Sequence, residues 1–354
     1  MKNIFAFCLA VLLLLLTACG DQTPTTSVDG TQFYHSTQNI FHSNQSTTGP
    51  KPTQTIPLPT EPEPTTPVIP PMAGVWVEYT PWTPEQGGTY TGLPSLKPLD
   101  YYLSDPWNTK QLSENRIDFC FGAASGGEPH FLTKENQDRF QTWGTEALAW
   151  DSISEEKVLY LTFDCGYEYG NITSQVLDIL EEKQIQTTFF CTLSYLRSAP
   201  QVVARMILEG HNVANHSMSH PEDMTALSRE ELVLEALAVE NFLRVNFGYS
   251  AKYFRFPNGV YSENAVDVID GMGYRSVFWS IAYADWDPEA QCGEETAFQI
   301  LTERLHPGAV ILLHTTSADN AAILSRFIDY AIAEGYTFRS LDDYPGWNRH
   351  TEQS

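Results

Sequence analysis

Short runs of apolar, β-branched and aromatic residues alternate with longer amphipathic segments over the second half of the chain. Runs of this length and composition are typical of buried strands. The seven predicted strands are VLYLTF (158–163), TTFFC (187–191), HNVAN (211–215), YFRF (253–256), SVFWS (276–280), AVILL (309–313) and TFRSL (337–341). Strands that alternate with helices predict an α/β fold with a parallel sheet.

The segments between these runs carry the signals of helices. ITSQVLDILEEK is amphipathic with a helical period, and SREELVLEALAVENFLRVNFG has Ser228 and Glu231 as a capping box and stops at Gly248. PQVVARMILEG and SENAVDVIDGMG follow the same scheme, and LTKENQDRFQTW predicts a short helix before the first strand. Seven strands in series predict a distorted or incomplete (β/α) barrel. An open doubly wound sheet gives the same alternation and is the alternative.

The N-terminus has a pattern of its own. MKNIFAFCLAVLLLLLTACG has a lysine followed by an apolar run that is short for a membrane span and has the layout of an export signal. Its ending, LTACG, resembles a bacterial lipobox. This predicts a lipoprotein signal peptide at 1–18 and lipidation of Cys19, which would anchor the exported protein to the outer face of the cell membrane. An ordinary signal peptide, with Cys19 incidental, is the alternative.

Composition divides the rest of the chain. Residues 19–73 are rich in Thr, Pro, Ser, Gln and Asn and predict a disordered tether. Residues 74–112 show no clear period, 113–343 contain the predicted catalytic domain, and 344–354 form a tail. The 354 residues carry a formal net charge of -24, which argues against a nucleic-acid partner because phosphates need cationic contacts.

Candidate functional side chains lie at or after the ends of five of the predicted strands. In order along the chain they are Asp164 and Cys165, His216, Arg255, Asp285 with Trp286, and His314. The carboxyl ends of barrel strands share one face, and active sites lie there. We therefore expect these groups to converge on one site.

His216 and His220 are four residues apart, so one helical turn through HSMSH would place both imidazoles on one side. Neutral imidazole suits a divalent metal such as zinc. Two polar loop residues before Pro221 are the alternative. Asp164 is the candidate general base, and His314 is the candidate general acid because imidazole titrates near neutral pH.

The remaining candidates support these groups or contact substrate. Arg255 would orient the Asp164 carboxylate, and Asp285 would stabilise the imidazolium form of His314. The alternative for Arg255 is a structural ion pair, and the alternative for Asp285 is a residue of a turn. Trp286 is either a core residue or a sugar-stacking surface, and Asn258 in the FPNG loop is the other predicted substrate contact.

YLTFDCG, HSMSHP, RFPNG, ADW and LLHT, in this order, resemble the five motifs of polysaccharide deacetylases, the NodB-homology domain of carbohydrate esterase family four. The resemblance covers roughly residues 113–343 and is closest to the delta-lactam-biosynthetic de-N-acetylases of spore peptidoglycan. It implies a distorted (β/α) barrel and metal-dependent hydrolysis of an N-acetyl amide, with zinc the expected metal. The implied partner is the peptidoglycan glycan strand, and the implied sugar is N-acetylmuramic acid that has lost its peptide.

The resemblance also implies a role for each matching residue. Asp164 matches the catalytic base and Arg255 the arginine that positions it. His216 and His220 match metal ligands. Asp285 matches the carboxylate that tunes the acid, and His314 matches the acid that protonates the departing amine.

Two residues depart from the family pattern. Most members have a second Asp, the third metal ligand, where this chain has Cys165, and the delta-lactam branch commonly has Asn. Cys165 could ligate the metal as a thiolate, leave a site of two histidines, or form a disulfide with Cys191. Phe256 stands where the family usually has Pro. The alternatives for function are a deacetylase of N-acetylglucosamine polymers or O-acetylated polysaccharide, and a wall-binding lipoprotein that has lost catalysis.

Overall fold

The computed structural model describes residues 96–97, 99–103 and 105–348. The predicted signal peptide, the lipidation site, the tether and the first part of segment 74–112 lie outside the described residues, as does the end of the predicted tail. Within the described ranges, no helix combines the length and the apolar character needed to cross a bilayer.

The described residues form strands and helices in regular alternation. The strands are β1 (Ile117–Asp118), β2 (Ala147–Leu148), β3 (Val158–Cys165), β4 (Thr188–Cys191), β5 (Asn212–Asn215), β6 (Tyr253–Phe254), β7 (Val260–Tyr261), β8 (Arg275–Val277), β9 (Ala309–His314) and β10 (Thr337–Phe338). The helices are α1 (Leu99–Tyr102), α2 (Phe131–Trp143), α3 (Ile172–Lys183), α4 (Leu193–Ser198), α5 (Pro200–Leu208), α6 (Arg229–Phe247), α7 (Glu263–Gly271), α8 (Glu294–Glu303) and α9 (Ala318–Ala333).

The central sheet is parallel and curls into a barrel. Neighbouring strands pair in the order β9, β3, β4, β5, β6 and β8, and β2 pairs with β8. The ring closes just after β8, where Ile281 donates to Val310 and accepts from Leu312 in β9. This closure confirms the predicted distorted (β/α) barrel and removes the open doubly wound sheet, in which the first and last strands would not meet.

Burial explains why the strands read as continuous apolar runs. All eight residues of β3 are buried because β4 and β9 flank it and helices cover the sheet. In the core, the ring of Phe278 stacks on Phe119 and Phe140 with ring centroids 4.7 and 4.9 Å apart. The segment before the barrel therefore contributes side chains to the same core.

The seven predicted strands are all present, although several are shorter than predicted. The predicted helix before the first strand is α2, and α6 begins with the predicted capping box and ends at Gly248 in the left-handed conformation. Strands β1, β2 and β7, of two residues each, were not predicted. Strand β1 pairs with β7 next to the loop that follows Arg255.

Candidate active site

Strand pairing brings the predicted site residues to one end of the barrel. Asp164 is the penultimate residue of β3, His314 is the last residue of β9, and the two are direct register partners. The backbone N–H of His216 donates to Cys191 at the end of β4, and the N–H of Arg255 donates to Asn215 at the end of β5. The ladders therefore continue to the last residue of each strand and fix these side chains on the same face.

Asp164 makes a direct ion pair with Arg255. Arg255 Nη1 lies 2.7 Å from Asp164 Oδ1, and His216 Nε2 lies 3.5 Å from Asp164 Oδ2. Burial alone would raise the pKa of Asp164, but the positive charge of Arg255 holds it below the ordinary value, with smaller contributions from the nearby histidines. Asp164 is therefore ionised and able to accept a proton.

Arg255 is fully buried and is held by neutral groups as well as by Asp164. Its guanidinium donates to the carbonyls of Val277 and Phe278 and to the hydroxyl of Thr162. The guanidinium carbon also lies 4.0 Å from the centroid of the Phe190 ring. These contacts leave the side chain one orientation, so Arg255 fixes the carboxylate that it pairs with.

His216 and His220 face each other with ring centroids 4.9 Å apart. The predicted helical turn is wrong, because Ser217 and His220 both have positive φ and the segment forms an irregular loop. The loop is closed instead by a hydrogen bond from the His220 N–H to the Ser217 hydroxyl. The two imidazoles come together by a tight turn and not by helical spacing.

The histidine pair has the electronic character of metal ligands. Nδ1 of His216 lies 2.9 Å from the Arg255 carbonyl, which can only accept, so Nδ1 carries the proton and Nε2 keeps its lone pair toward the site. Burial lowers the pKa of His216 to about 4 and also lowers that of His220, so both rings are neutral near pH 7. Two neutral imidazoles beside a carboxylate fit a divalent metal. Among the described residues, no group of three or more His, Cys, Asp or Glu side chains is arranged to hold one.

The imidazole of His314 contacts the buried carboxylate of Asp285 through Nδ1. His314 Nδ1 lies 2.7 Å from Asp285 Oδ1, and the backbone N–H of His314 donates to Asp285 Oδ2 at 2.8 Å. Asn320 also donates to Oδ2, at 2.6 Å. Burial would lower the pKa of His314, but the charge and hydrogen bond of Asp285 raise it above its ordinary value. The imidazole is therefore suited to hold a proton near neutral pH and to release it to a leaving group.

Cys165 lies next to Asp164 but its contacts are different. Successive strand residues face opposite sides, and the hydroxyl of Thr315 lies 3.5 Å from the Cys165 sulfur. Cys165 is the direct register partner of Cys191, both are fully buried, and neither is in a disulfide. Burial raises the pKa of Cys191 well above its ordinary value, and its hydrogen bond with Cys165 adds to this.

The two predicted substrate contacts lie at the rim. Trp286 is 56% exposed and its ring centroid lies 6.2 Å from that of His314, so it is not a core residue. Asn258 is exposed, three residues beyond Arg255, with φ of 54°. Substrate binding by both residues stays a prediction.

The sequence interpretation missed two supporting residues, Thr162 and Asn320. Thr162 precedes Asp164 by two positions, so the period of a strand would have placed both on one side. Asn320 lies in the first turn of α9, and no spacing in the sequence connects it with Asp285, 35 residues earlier.

Comparison with known proteins agrees with this arrangement. A family model described as polysaccharide deacetylase matches residues 151–277. The chain is 40% identical over 191 residues to the peptidoglycan-N-acetylmuramic acid deacetylase PdaA of Bacillus subtilis (strain 168), covering 54% of this chain and 72% of that protein. It is 32% identical over 197 residues to a chitooligosaccharide deacetylase of Sinorhizobium fredii, covering 52% of this chain and 89% of that protein.

Solved structures show the same likeness. The structure of Bacillus subtilis PdaA, a family 4 carbohydrate esterase, superposes with a TM-score of 0.62 at 35% identity, over 66% of this chain and 98% of that chain. A family 4 carbohydrate esterase from Bacillus anthracis superposes with a TM-score of 0.53 at 35% identity, over 66% of this chain and 97% of that chain.

Proposed function

This chain belongs to the polysaccharide deacetylase family, the family 4 carbohydrate esterases, and on that premise we propose that it hydrolyses the N-acetyl amide of an amino sugar in peptidoglycan. The observation that carries the proposal is the pairing of an ionised carboxylate, Asp164, with a proton-holding imidazole, His314, across adjacent strand ends. Amide hydrolysis needs both groups, since water must lose a proton and the amine must gain one.

The residues divide the reaction between two sides of the site. Asp164, kept ionised by Arg255, accepts a proton from the attacking water. His314, kept protonated by Asp285, donates a proton to the amine nitrogen as its bond to the acetyl carbon breaks. A divalent metal held by His216 and His220, with zinc our candidate, would supply Lewis-acid polarisation of the acetyl carbonyl.

We propose N-acetylmuramic acid without its peptide as the sugar, a choice supported by the 40% identity to a deacetylase named for that residue. The second candidate is a polymer of N-acetylglucosamine, which the likeness to a chitooligosaccharide deacetylase favours. We further propose that the protein is exported and lipid-anchored through Cys19. The LTACG sequence supports this proposal.

Acetate release from two glycans tests the function and the sugar together. The purified protein is incubated with peptide-free peptidoglycan strands or with an N-acetylglucosamine polymer, in chelator or in added zinc. We expect zinc-dependent acetate from the peptidoglycan strands, liberated muramic acid in the product, and loss of both in Asp164→Asn. Acetate from the N-acetylglucosamine polymer alone would support the second candidate. No acetate from either polymer, in folded and zinc-loaded protein, would contradict the assignment.

A further inference from the structure

Three exposed aromatic rings stand on the two loops that border His314. Trp286, Tyr167 and Tyr169 are 56%, 49% and 38% exposed, although large aromatic side chains are normally more buried. Trp286 is in the loop after β8, and both tyrosines are in the loop that joins β3 to α3. None of the three is needed for the proton transfers described above.

The tyrosines lie close to the reacting groups. Tyr167 follows the last residue of β3 by two positions, so its Cα is at most about 7 Å from that of Cys165. The end of β3 pairs with the end of β9, which carries His314. The loop of residues 166–171, here called the Tyr loop, and the loop that carries Trp286 therefore border the same side of the site, the side of His314.

Both loops are held in place while the rings stay open. The Tyr169 hydroxyl lies 3.2 Å from Glu289 Oε1, which ties the Tyr loop to the loop of Trp286. Tyr167 and Tyr169 pack edge to face, with ring centroids 6.5 Å apart. Thr316 donates to the Trp286 carbonyl at 2.9 Å. Loops held in this way lose little conformational entropy when a ligand covers their rings.

We propose that Tyr167 and Tyr169 extend the surface of Trp286 into a binding platform for the pyranose rings that flank the reacting sugar. This inference rests on the proposed function, because His314 can protonate the amine only if the sugar lies on its side of the site. The C–H faces of a pyranose are apolar and gain by covering aromatic rings. The exposed carboxylates of Asp287 and Glu289 on the same loop disfavour an anionic group, so the platform fits uncharged sugar residues.

Kinetics on glycans of two lengths test the platform in the full-length protein. In Tyr167→Ala/Tyr169→Ala we expect KM for long glycan strands to rise about tenfold, equivalent to about 1.4 kcal/mol. We expect kcat, and KM for the single N-acetylated sugar of the same glycan, to change by less than about twofold. Tyr169→Phe keeps the ring and loses only the Glu289 contact, so its KM should rise by about threefold or less.

The chain offers a matched control in Tyr330→Ala. Tyr330 is also 38% exposed and also packs edge to face on a ring, that of Phe298 at 5.7 Å. It lies 12 residues along α9, about 18 Å from the end of that helix near the site. KM should stay at the wild-type value in this variant.

Two results would overturn the platform. One is a double variant whose KM for long strands equals that of Tyr330→Ala. The other is an equal rise of KM for strands and for the single sugar, which would place the tyrosines at the reacting sugar. Calorimetric binding of strands to Asp164→Asn, with and without the tyrosine substitutions, separates this inference from the catalytic one. If the wild-type protein releases no acetate, a tenfold loss of strand binding still supports the platform, and undiminished binding rejects it.

Discussion

Replacement of Asp285 by asparagine tests the assignment of His314 as the acid. Asp285 is buried, accepts from the His314 and Asn320 amides at Oδ2, and faces His314 Nδ1 with Oδ1. Because two donors surround the Oδ2 position, the amide oxygen of the introduced asparagine would take that place and its NH2 would face Nδ1. The substitution therefore removes the negative charge and also places a donor against a nitrogen that must carry a proton in the imidazolium.

The structure gives the direction of the effect, and the general influence of a neighbouring charge gives its size. His314 has a raised pKa, so it is protonated below that pKa, and the acid-dependent rate falls as pH rises through it. An adjacent opposite charge changes a pKa by about 1–3, and without it burial takes the pKa of His314 below its ordinary value. The basic limb of the kcat profile should thus move down by about 1–3 pH units. At a pH above the pKa of both proteins, kcat should fall about tenfold for every pH unit by which the limb has moved.

The assay is acetate release at saturating glycan from about pH 5 to 9, the range over which a histidine titrates, with an NMR titration of His314 in the same variant. Asp287→Asn is the matched control, because Asp287 lies in the same loop, is exposed, and its side chain accepts a hydrogen bond from the Glu289 N–H. A profile in Asp285→Asn with the wild-type basic limb, scaled down by a constant factor, would refute the role of Asp285 in keeping His314 protonated.

Contacts elsewhere in the barrel support three further predictions. Arg255→Lys cannot replace four guanidinium contacts with its three N–H donors, so we expect at least about 1–3 kcal/mol lower stability in urea unfolding and at least about tenfold lower kcat. Cys165→Ser should keep zinc affinity within about threefold in chelator competition while His216→Ala loses it, because Cys165 contacts Thr315 and Cys191. Gly308→Ala should cost more than about 3 kcal/mol, since its Cβ would lie 2.0 Å from the Asp151 carbonyl, whereas Gly335→Ala, with open space, should cost about 1–2 kcal/mol.

Each of these has a clear contrary result. Retention of wild-type stability by Arg255→Lys would mean that the buried carbonyls find other donors. A loss of zinc affinity in Cys165→Ser as large as that in His216→Ala would make the thiolate a ligand. Equal costs at Gly308 and Gly335 would mean that positive φ alone, and not the collision with the backbone, sets the penalty.

The order of the strands, and the polar residues that follow them, were readable from the amino-acid sequence alone. Strands buried on both faces can be recognised in the sequence because burial requires almost every residue to be apolar, as in β3. The convergence of Asp164, Arg255 and His314 follows from parallel pairing, since strand ends share a face. Closure of the sheet into a barrel was decided only by the contacts of Ile281 with β9. Thr162 was within reach of the same reasoning, because it shares the alternation of β3 with Asp164.

How these groups are held became visible only in the folded chain. The approach of His216 and His220 depends on positive φ at Ser217 and His220, which an HxxxH spacing does not encode. The support of Asp285 by Asn320 and the exposure of Trp286 depend on how the loop after β8 packs against the start of α9. The local sequence pattern predicts a strand because burial repeats along it. Loop contacts, in contrast, arise between segments distant in sequence and form only when the barrel closes.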